Sequence, residues 1–200
     1  EDNQSIIIGG IRKQNDKFFN SLYNINKSSS NYFDKKILVP FGEFLPFRKY
    51  LNFLVPISGN NDFTSGKKTR SIQINNEITF IPIICYEIIF YWKLINNYNY
   101  DNNLIINITN DIWFGKYLGP YQHFAKGIFR AIEQNSYLVR SANKGISAII
   151  NNKGEVIEGS EDQVEAVFYY MAVQRNWDEE AEELRWHVLE FQLVGKLDWH

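Results

Sequence analysis

Residues 78–92 read Ile78-Thr79-Phe80-Ile81-Pro82-Ile83-Ile84-Cys85-Tyr86-Glu87-Ile88-Ile89-Phe90-Tyr91-Trp92. The first half is an apolar run of strand length, and the pattern from Tyr86 to Ile95 has helical length and character. Upstream, Ser71–Asn75 and Glu77–Ile84 flank Asn75-Asn76, so they read as a hairpin whose second arm enters the core. Cys85 therefore falls at a strand-to-helix turn. A thiol there is exposed at the sheet edge, and the positive end of the following helix favours its thiolate. The competing reading is a buried structural cysteine. The stretch is fifteen residues and contains Pro82 and Glu87, too short and too polar to span a bilayer.

Other segments fall into place around this one. Ser5–Ile11 is an apolar run that reads as a buried strand, and Phe18–Asn26 forms a hairpin with it across Gln14–Lys17. Lys27–Asn31 reads as a polar linker. Ile37–Val39 reads as a brief strand stopped by Pro40 and Gly42, and Leu45–Val55 as partly helical. Gly59–Lys68 is loop by composition. Leu104–Thr109 and Tyr137–Ser141 read as strands on either side of a helix over Tyr121–Asn135, which Gly119-Pro120 precedes. Gly145–Ile150 and Glu155–Ile157 flank a turn at Asn151–Gly154. Alternation of strands with helices predicts an α/β or α+β domain on a mixed sheet.

The chain has 200 residues, 44% of them apolar and 16% aromatic, enough for a substantial core. Its formal charge of −2 argues against a nucleic-acid surface built on bulk charge. A single cysteine excludes a disulfide framework and a thiolate-rich zinc site, and His123, His187 and His200 are too scattered to suggest a ligand set. Glu1 follows no methionine or signal peptide, so the sequence reads as a cropped, soluble piece.

Composition breaks near residue 157. Residues 1–157 hold 18 basic and 12 acidic side chains, whereas 158–200 hold 3 and 11. All 26 isoleucines lie at or before Ile157, and three of the five tryptophans lie in the last 24 residues. Residues 158–200 thus look like a fused or designed acidic, Trp-rich tail. Glu161–Arg175 and Asp178–Val194 are read there as helices, the second opened by Asp178, Glu179 and Glu180. Val164, Ala166, Phe168, Tyr170 and Ala172, however, also alternate at period two.

Two further stretches carry chemistry. Lys35 and Glu43 lie eight residues apart across Ile37–Val39 and the Pro40/Gly42 turn, so the two charges can converge. A lysine held there can stabilise the oxyanion formed when a thiolate attacks a carbonyl, with the carboxylate orienting it or moving a proton. An ordinary surface ion pair is the plainer alternative. Asn107 to Gly115 leaves a strand for a polar, aromatic loop containing Asp111, Trp113 and Phe114, followed by Gly119-Pro120-Tyr121-Gln122-His123-Phe124. Such a loop can line a pocket beside the thiol, or can simply pack with a satisfied His123.

Taken together, Leu38–Phe44, Phe63–Gly66, Ile84–Ile88, Asn110–Gly115, Gly119–Phe124 and Arg140–Ile146 resemble the apolipoprotein N-acyltransferases. These are membrane enzymes of the nitrilase, or carbon–nitrogen hydrolase, superfamily, and the resemblance spans roughly Ser5 to Ile157. It implies a four-layer αββα sandwich, incomplete here, with residues 1–157 as a partial hydrolase domain. It implies Cys85 as the nucleophile that carries an acyl group as a thioester, Lys35 at the oxyanion, Glu43 as an orienting glutamate and Glu87 in a supporting role. Trp113, Phe114 and His123 would line the lipid-facing mouth. The family moves an acyl chain from a phospholipid to the α-amino group of a diacylglyceryl-cysteine apolipoprotein, at the bacterial inner membrane with the catalytic domain facing the periplasm. No metal or organic cofactor is implied.

The family's general-base glutamate lies upstream of the Lys35 position, before Glu1, and its transmembrane helices have no counterpart in this sequence. The expectation is therefore a segment with no general base assigned and little activity in isolation. A soluble nitrilase-type amidase, or a non-catalytic scaffold whose tail binds a partner, remain the alternative readings.

Overall fold

The structure, a computed structural model, describes residues 5–27, 29–50, 62–74, 78–90, 104–115, 117–159, 167–178 and 183–196, the last two as backbone. The chain opens with β1 (Ser5–Gln14) and β2 (Lys17–Asn26), an antiparallel hairpin whose turn is Asn15-Asp16. Both turn residues have positive φ, 47° and 59°, the conformation a two-residue hairpin turn demands and Asn and Asp tolerate. β3 (Ser30–Asp34) adds to β2, taking up part of the expected linker at residues 27–31. Arg12 of β1 and Ser21 of β2 both donate to the Asp34 carboxylate of β3, pinning the three strands side by side.

The larger sheet has the order β4-β5-β6-β7-β8-β9. It comprises β4 (Ile72–Gln73), β5 (Thr79–Ile84), β6 (Leu104–Asn110), β7 (Tyr137–Asn143), β8 (Ala148–Ile150) and β9 (Val156–Gly159). β5, β6 and β7 run parallel, and the outer pairs are antiparallel. The antiparallel pairings expected within 71–84 and 145–157 are both present, residues 75–77 lying outside the described set. The parallel centre requires crossovers, and the one from β6 to β7 is α1 (Leu118–Glu133).

Period two sorts the apolar residues onto two faces. Ile81, Ile83, Ile105 and Leu138 pack with Ile88 of the turn after β5 and Phe124 and Ala131 of α1. Phe80, Ile84, Leu104 and Ile106 pack against Leu22 and Phe33 of the smaller sheet. Both faces of the central strands are thus buried, which is why they read as continuous apolar runs. α1 sits close because Gly127 has no side chain; a Cβ there would lie 3.0 Å from Leu138 Cδ2. The layers are α1, the large sheet and the small sheet, an α/β arrangement. Among the described residues no helix covers the far face of the small sheet, where Ile6, Ile8 and Ile25 are exposed. β1 is therefore an edge strand with one open face, not the fully buried strand expected.

Several expectations are corrected. Residues 37–39 form no strand; the Ile37 amide donates to the Glu87 carboxylate and that of Val39 to Glu43, so two of the three amides are taken by side chains. The helix expected over 45–55 is a series of turns through Tyr50, and its remainder lies outside the described residues. The helix expected from Tyr86 is a single 3-10 turn, Cys85–Ile89; residues 91–95 lie outside the described set. The helices expected in the acidic tail are strands where it is described: β10 (Val167–Asp178) and β11 (Glu183–Lys196) pair antiparallel, and residues 161–166 and 179–182 lie outside the described set. Its β-branched and aromatic residues at period two outweigh the acidic first-turn signal. Among the described residues, no helix is long and apolar enough to cross a membrane.

Candidate active site

The parallel strands β5 and β6 end on one edge of the sheet, and each passes directly into a 3-10 turn there. Cys85 opens the first turn with φ 52°, left-handed for a residue that carries a Cβ. Such a conformation costs about 1–3 kcal/mol and is kept only where surrounding bonds over-determine it. Here the bonds come from Glu87, fully buried two residues on. Its Oε2 accepts from the Ile84 amide and Arg70 Nη1, both at 2.9 Å. Its Oε1 accepts from Arg70 Nη2 at 2.6 Å, the Lys36 amide at 2.9 Å and the Ile37 amide at 3.1 Å. One carboxylate therefore fastens residues 36–37, the buried Arg70 and the residue before Cys85 to one point. Five donors fill the acceptor sites of this carboxylate, which suits Glu87 to an anchoring role.

That fastening carries Lys35 into the interior, where it is 1% exposed. Its Nζ meets Glu43 Oε2 at 2.6 Å. The same oxygen accepts from the Val39 amide, and Glu43 Oε1 accepts from Asn20 Nδ2, both at 2.8 Å. This buried pair is not the surface pair that sequence alone leaves open. Gly66 lets the chain close in beside it. The Gly66 amide donates to Lys35 O at 2.8 Å, and a Cβ at Gly66 would fall 2.2 Å from Asp34 O.

The second turn, Asp111–Phe114, carries the aromatic loop. Trp113 is 83% exposed, while the Phe114 ring packs 5.0 Å from the His123 ring and 6.3 Å from Tyr86, the residue after Cys85. His123 is buried rather than lining an open surface. Its Nδ1 lies 2.8 Å from Asp111 Oδ1, to which it donates, and 3.1 Å from Arg140 Nη2. Nε2 has no hydrogen-bond partner among the described residues. Asp111 also accepts from Thr109 Oγ1 at 2.8 Å and from Arg140 Nη2 at 2.7 Å. Arg140 is itself held by Asn107 Oδ1 and by the Ile146 carbonyl.

Burial would raise the Asp111 carboxyl, but the His123 hydrogen bond and the Arg140 charge outweigh it and hold the group below the ordinary aspartate range. Burial lowers the Arg140 guanidinium, opposed by the charges of Asp111 and, more weakly, of Cys85. Three buried cations, Lys35, Arg70 and Arg140, are thus each matched by a carboxylate near this sheet edge. Pairing of this kind is what allows charge to persist in a core.

Of the residues singled out in the sequence, Cys85 and Glu87 share one turn, and Glu87 binds the backbone next to Lys35, which in turn meets Glu43. Phe114 and His123 pack together against Tyr86, and Trp113 stands out in solvent. Sequence reasoning missed Arg70 and Asn20, and it gave no role to Arg140 or to Asp111 as a hub. Arg140 had a signal: Leu138, Arg140 and Ala142 alternate along β7 on the buried side. Among the described residues, no group of three or more His, Cys, Asp or Glu is placed to hold a metal. Chemically, the arrangement offers a partly exposed thiol on a strained turn, a buried ammonium and an aromatic rim.

The carbon–nitrogen hydrolase family profile matches residues 1–178, running past the composition break. An apolipoprotein N-acyltransferase of Rhizobium leguminosarum bv. trifolii is 39% identical over 172 residues, covering 80% of this chain and 32% of that protein. One from Rickettsia typhi is 38% identical over 163 residues, covering 78% and 33%. The chain thus spans about a third of the length of these relatives. Among solved structures, a glutamine-dependent NAD+ synthetase from Acinetobacter baumannii superposes with a TM-score of 0.58 at 16% identity, covering 78% of this chain and 29% of its own. An amidase from Nesterenkonia sp. AN1 gives 0.53 at 10% identity, covering 79% and 59%; in that protein acrylamide had added to the active-site cysteine. These likenesses show a nitrilase-like α/β fold. With its profile matched from residue 1 to residue 178, the chain belongs to the carbon–nitrogen hydrolase family.

Proposed function

We propose that this domain transfers an acyl chain from a phospholipid to the terminal amino group of a diacylglyceryl-cysteine apolipoprotein, with Cys85 as the covalent carrier. The observation that carries the reading is Cys85 at positive φ at the end of β5, with the Lys35–Glu43 pair fastened beside its turn through Glu87. The names of the 38–39% identical relatives support the substrate class.

In the first half-reaction the Cys85 thiolate adds to the ester carbonyl of the phospholipid. The C–S bond forms, the Lys35 ammonium stabilises the oxyanion, the ester C–O bond breaks, and the lysophospholipid alkoxide leaves, taking from solvent the proton that Cys85 gave up on ionising. In the second, the amine of the acceptor adds to the thioester, the C–N bond forms, the C–S bond breaks as the thiolate leaves, and the amine's surplus proton passes to solvent. Glu43 orients Lys35, and Glu87 holds the turn. Trp113 and Phe114 form the rim against which the acyl chain lies, with His123 behind them. The lipid substrates support association with the inner membrane, and the resemblance to the acyltransferases implies its periplasmic side. The residues of this chemistry all lie within 1–157, and the acidic 158–200 is read as an appended unit on its composition.

The test is mass spectrometry of a synthetic diacylglyceryl-cysteine peptide incubated with the chain and phospholipid in detergent micelles. N-acylated peptide that requires Cys85 is expected. Ammonia release from short water-soluble amides without peptide acylation overturns the reading in favour of an amidase.

A further inference from the structure

Asp111 is the first residue of the turn that carries Trp113 and Phe114, and it is completely buried. The other attachments of that turn are light. Asn110 Oδ1 accepts from the Ile112 amide and from Asn143 Nδ2, each at 3.3 Å, and the Gly115 amide reaches Ile112 O at 3.3 Å. By contrast, Asp111 receives Thr109, His123 and Arg140 at 2.7–2.8 Å. His123 comes from α1 and Arg140 from β7, so three separate elements meet at one carboxylate. The His123 ring then packs on Phe114 and Tyr86, which links the joint to the turn of Cys85.

We infer that Asp111, clamped by Arg140 and His123, is a positioning residue that seats the Trp113/Phe114 turn against the nucleophile turn, and so governs how an acyl chain engages the site. The inference rests on the proposed acyl-transfer reading for its substrate. Its physical content is separate: a joint holding an apolar rim at a set place beside a thiol. Gly145 shows how tightly that joint is built, since a Cβ there would lie 2.3 Å from Asp111 Oδ2, the oxygen that Arg140 binds. Gly145→Ala therefore displaces the carboxylate without removing a charge. Asp111→Asn removes the charge and turns an amide donor toward His123 or Arg140.

Cys85 is the chain's single thiol, so alkyl methanethiosulfonates report on it alone. The experiment compares the rates of hexyl and methyl methanethiosulfonate with the wild-type chain, Gly145→Ala and Asp111→Asn, with circular dichroism confirming the fold of each. A rim in place should favour the hexyl reagent about tenfold, far below the ceiling for five fully buried methylenes. In both variants that preference, the hexyl rate divided by the methyl rate, should fall toward unity. Gly145→Ala keeps every charge, so its methyl rate should stay within about twofold, whereas Asp111→Asn leaves the Arg140 charge acting on Cys85 unopposed and should raise the methyl and hexyl rates by a common factor. An unchanged preference in folded variants overturns the inference, as does a wild-type preference near unity. A methyl rate that collapses with the hexyl rate also overturns it, since the network would then act on the thiol or the fold. Failure of phospholipid transfer alone, with the hexyl preference lost as expected, would count against the proposed substrate and not against the joint.

Discussion

Substituting Gln for Glu87 tests whether this carboxylate is an anchor or a proton carrier. In the native structure its two oxygens accept from Arg70 twice and from the amides of Ile84, Lys36 and Ile37. Glutamine keeps the shape but replaces one oxygen with an NH2 group. Facing Oε2's partners it opposes the Ile84 amide and Arg70 Nη1; facing Oε1's it opposes two amides and Arg70 Nη2. Either way Arg70, 5% exposed, loses its counter-charge. Breaking one partner of a buried pair costs about 3–5 kcal/mol. For a chain of this length that corresponds to a fall in melting temperature of roughly 6–20 °C. Thermal unfolding followed by circular dichroism measures it, and the rate of thioester formation in the folded fraction is read alongside. A Glu87→Gln protein that melts within about 2 °C of wild type, well under the shift expected for a buried pair, yet forms no thioester would refute the anchor reasoning.

Lys35→Ala should slow thioester formation by about 10²–10³-fold, the usual cost of losing an oxyanion donor, while the domain stays folded because Asn20 and Val39 still satisfy Glu43. A burst assay with an activated long-chain ester measures the rate. At the strained turn, Cys85→Gly should be more stable than Cys85→Ala by about 1 kcal/mol, since only glycine adopts φ 52° freely; urea titration of the two proteins decides it. Because Asp111's carboxyl is held below its ordinary range when folded, its stabilising contribution is fully present above the unfolded aspartate value, about 3.9. That contribution should be lost as pH falls below this value through the depressed folded one. Asp111→Asn should accordingly flatten the acid limb of a stability-versus-pH curve below about pH 4 and leave its shape from pH 5 to 7 unchanged.

The central sheet was legible because burial on both faces writes itself into sequence as continuous apolar runs, and Leu104–Asn110 needs no distant partner to be read. α1 was legible from Gly119-Pro120 and its periodicity. Residues 37–39 were not, because their amides go to the carboxylates of Glu43 and Glu87, and local pattern does not encode a partner fifty residues away. The same applies to the pairing of Arg70 with Glu87, 17 residues apart, and of Arg140 with Asp111, which the β6–β7 pairing brings together. In the tail two local signals conflicted, acidic helix-start residues against period-two aromatics, and the helix reading followed the weaker one. The thiol, lysine and glutamates were visible as types at suggestive spacings; that they meet through buried ion pairs was not.

The most direct test of the account is whether the folded turn makes Cys85 an acyl acceptor. The chain is incubated with a long-chain p-nitrophenyl ester, whose leaving group needs no proton, and intact mass is followed for the native and the urea-unfolded protein. The account predicts a hydroxylamine-labile, acyl-sized mass increase that forms at least about tenfold faster in the folded chain and is absent from Cys85→Ala. An adduct that persists in Cys85→Ala, or that forms no faster on the folded chain than on the unfolded one, would contradict it.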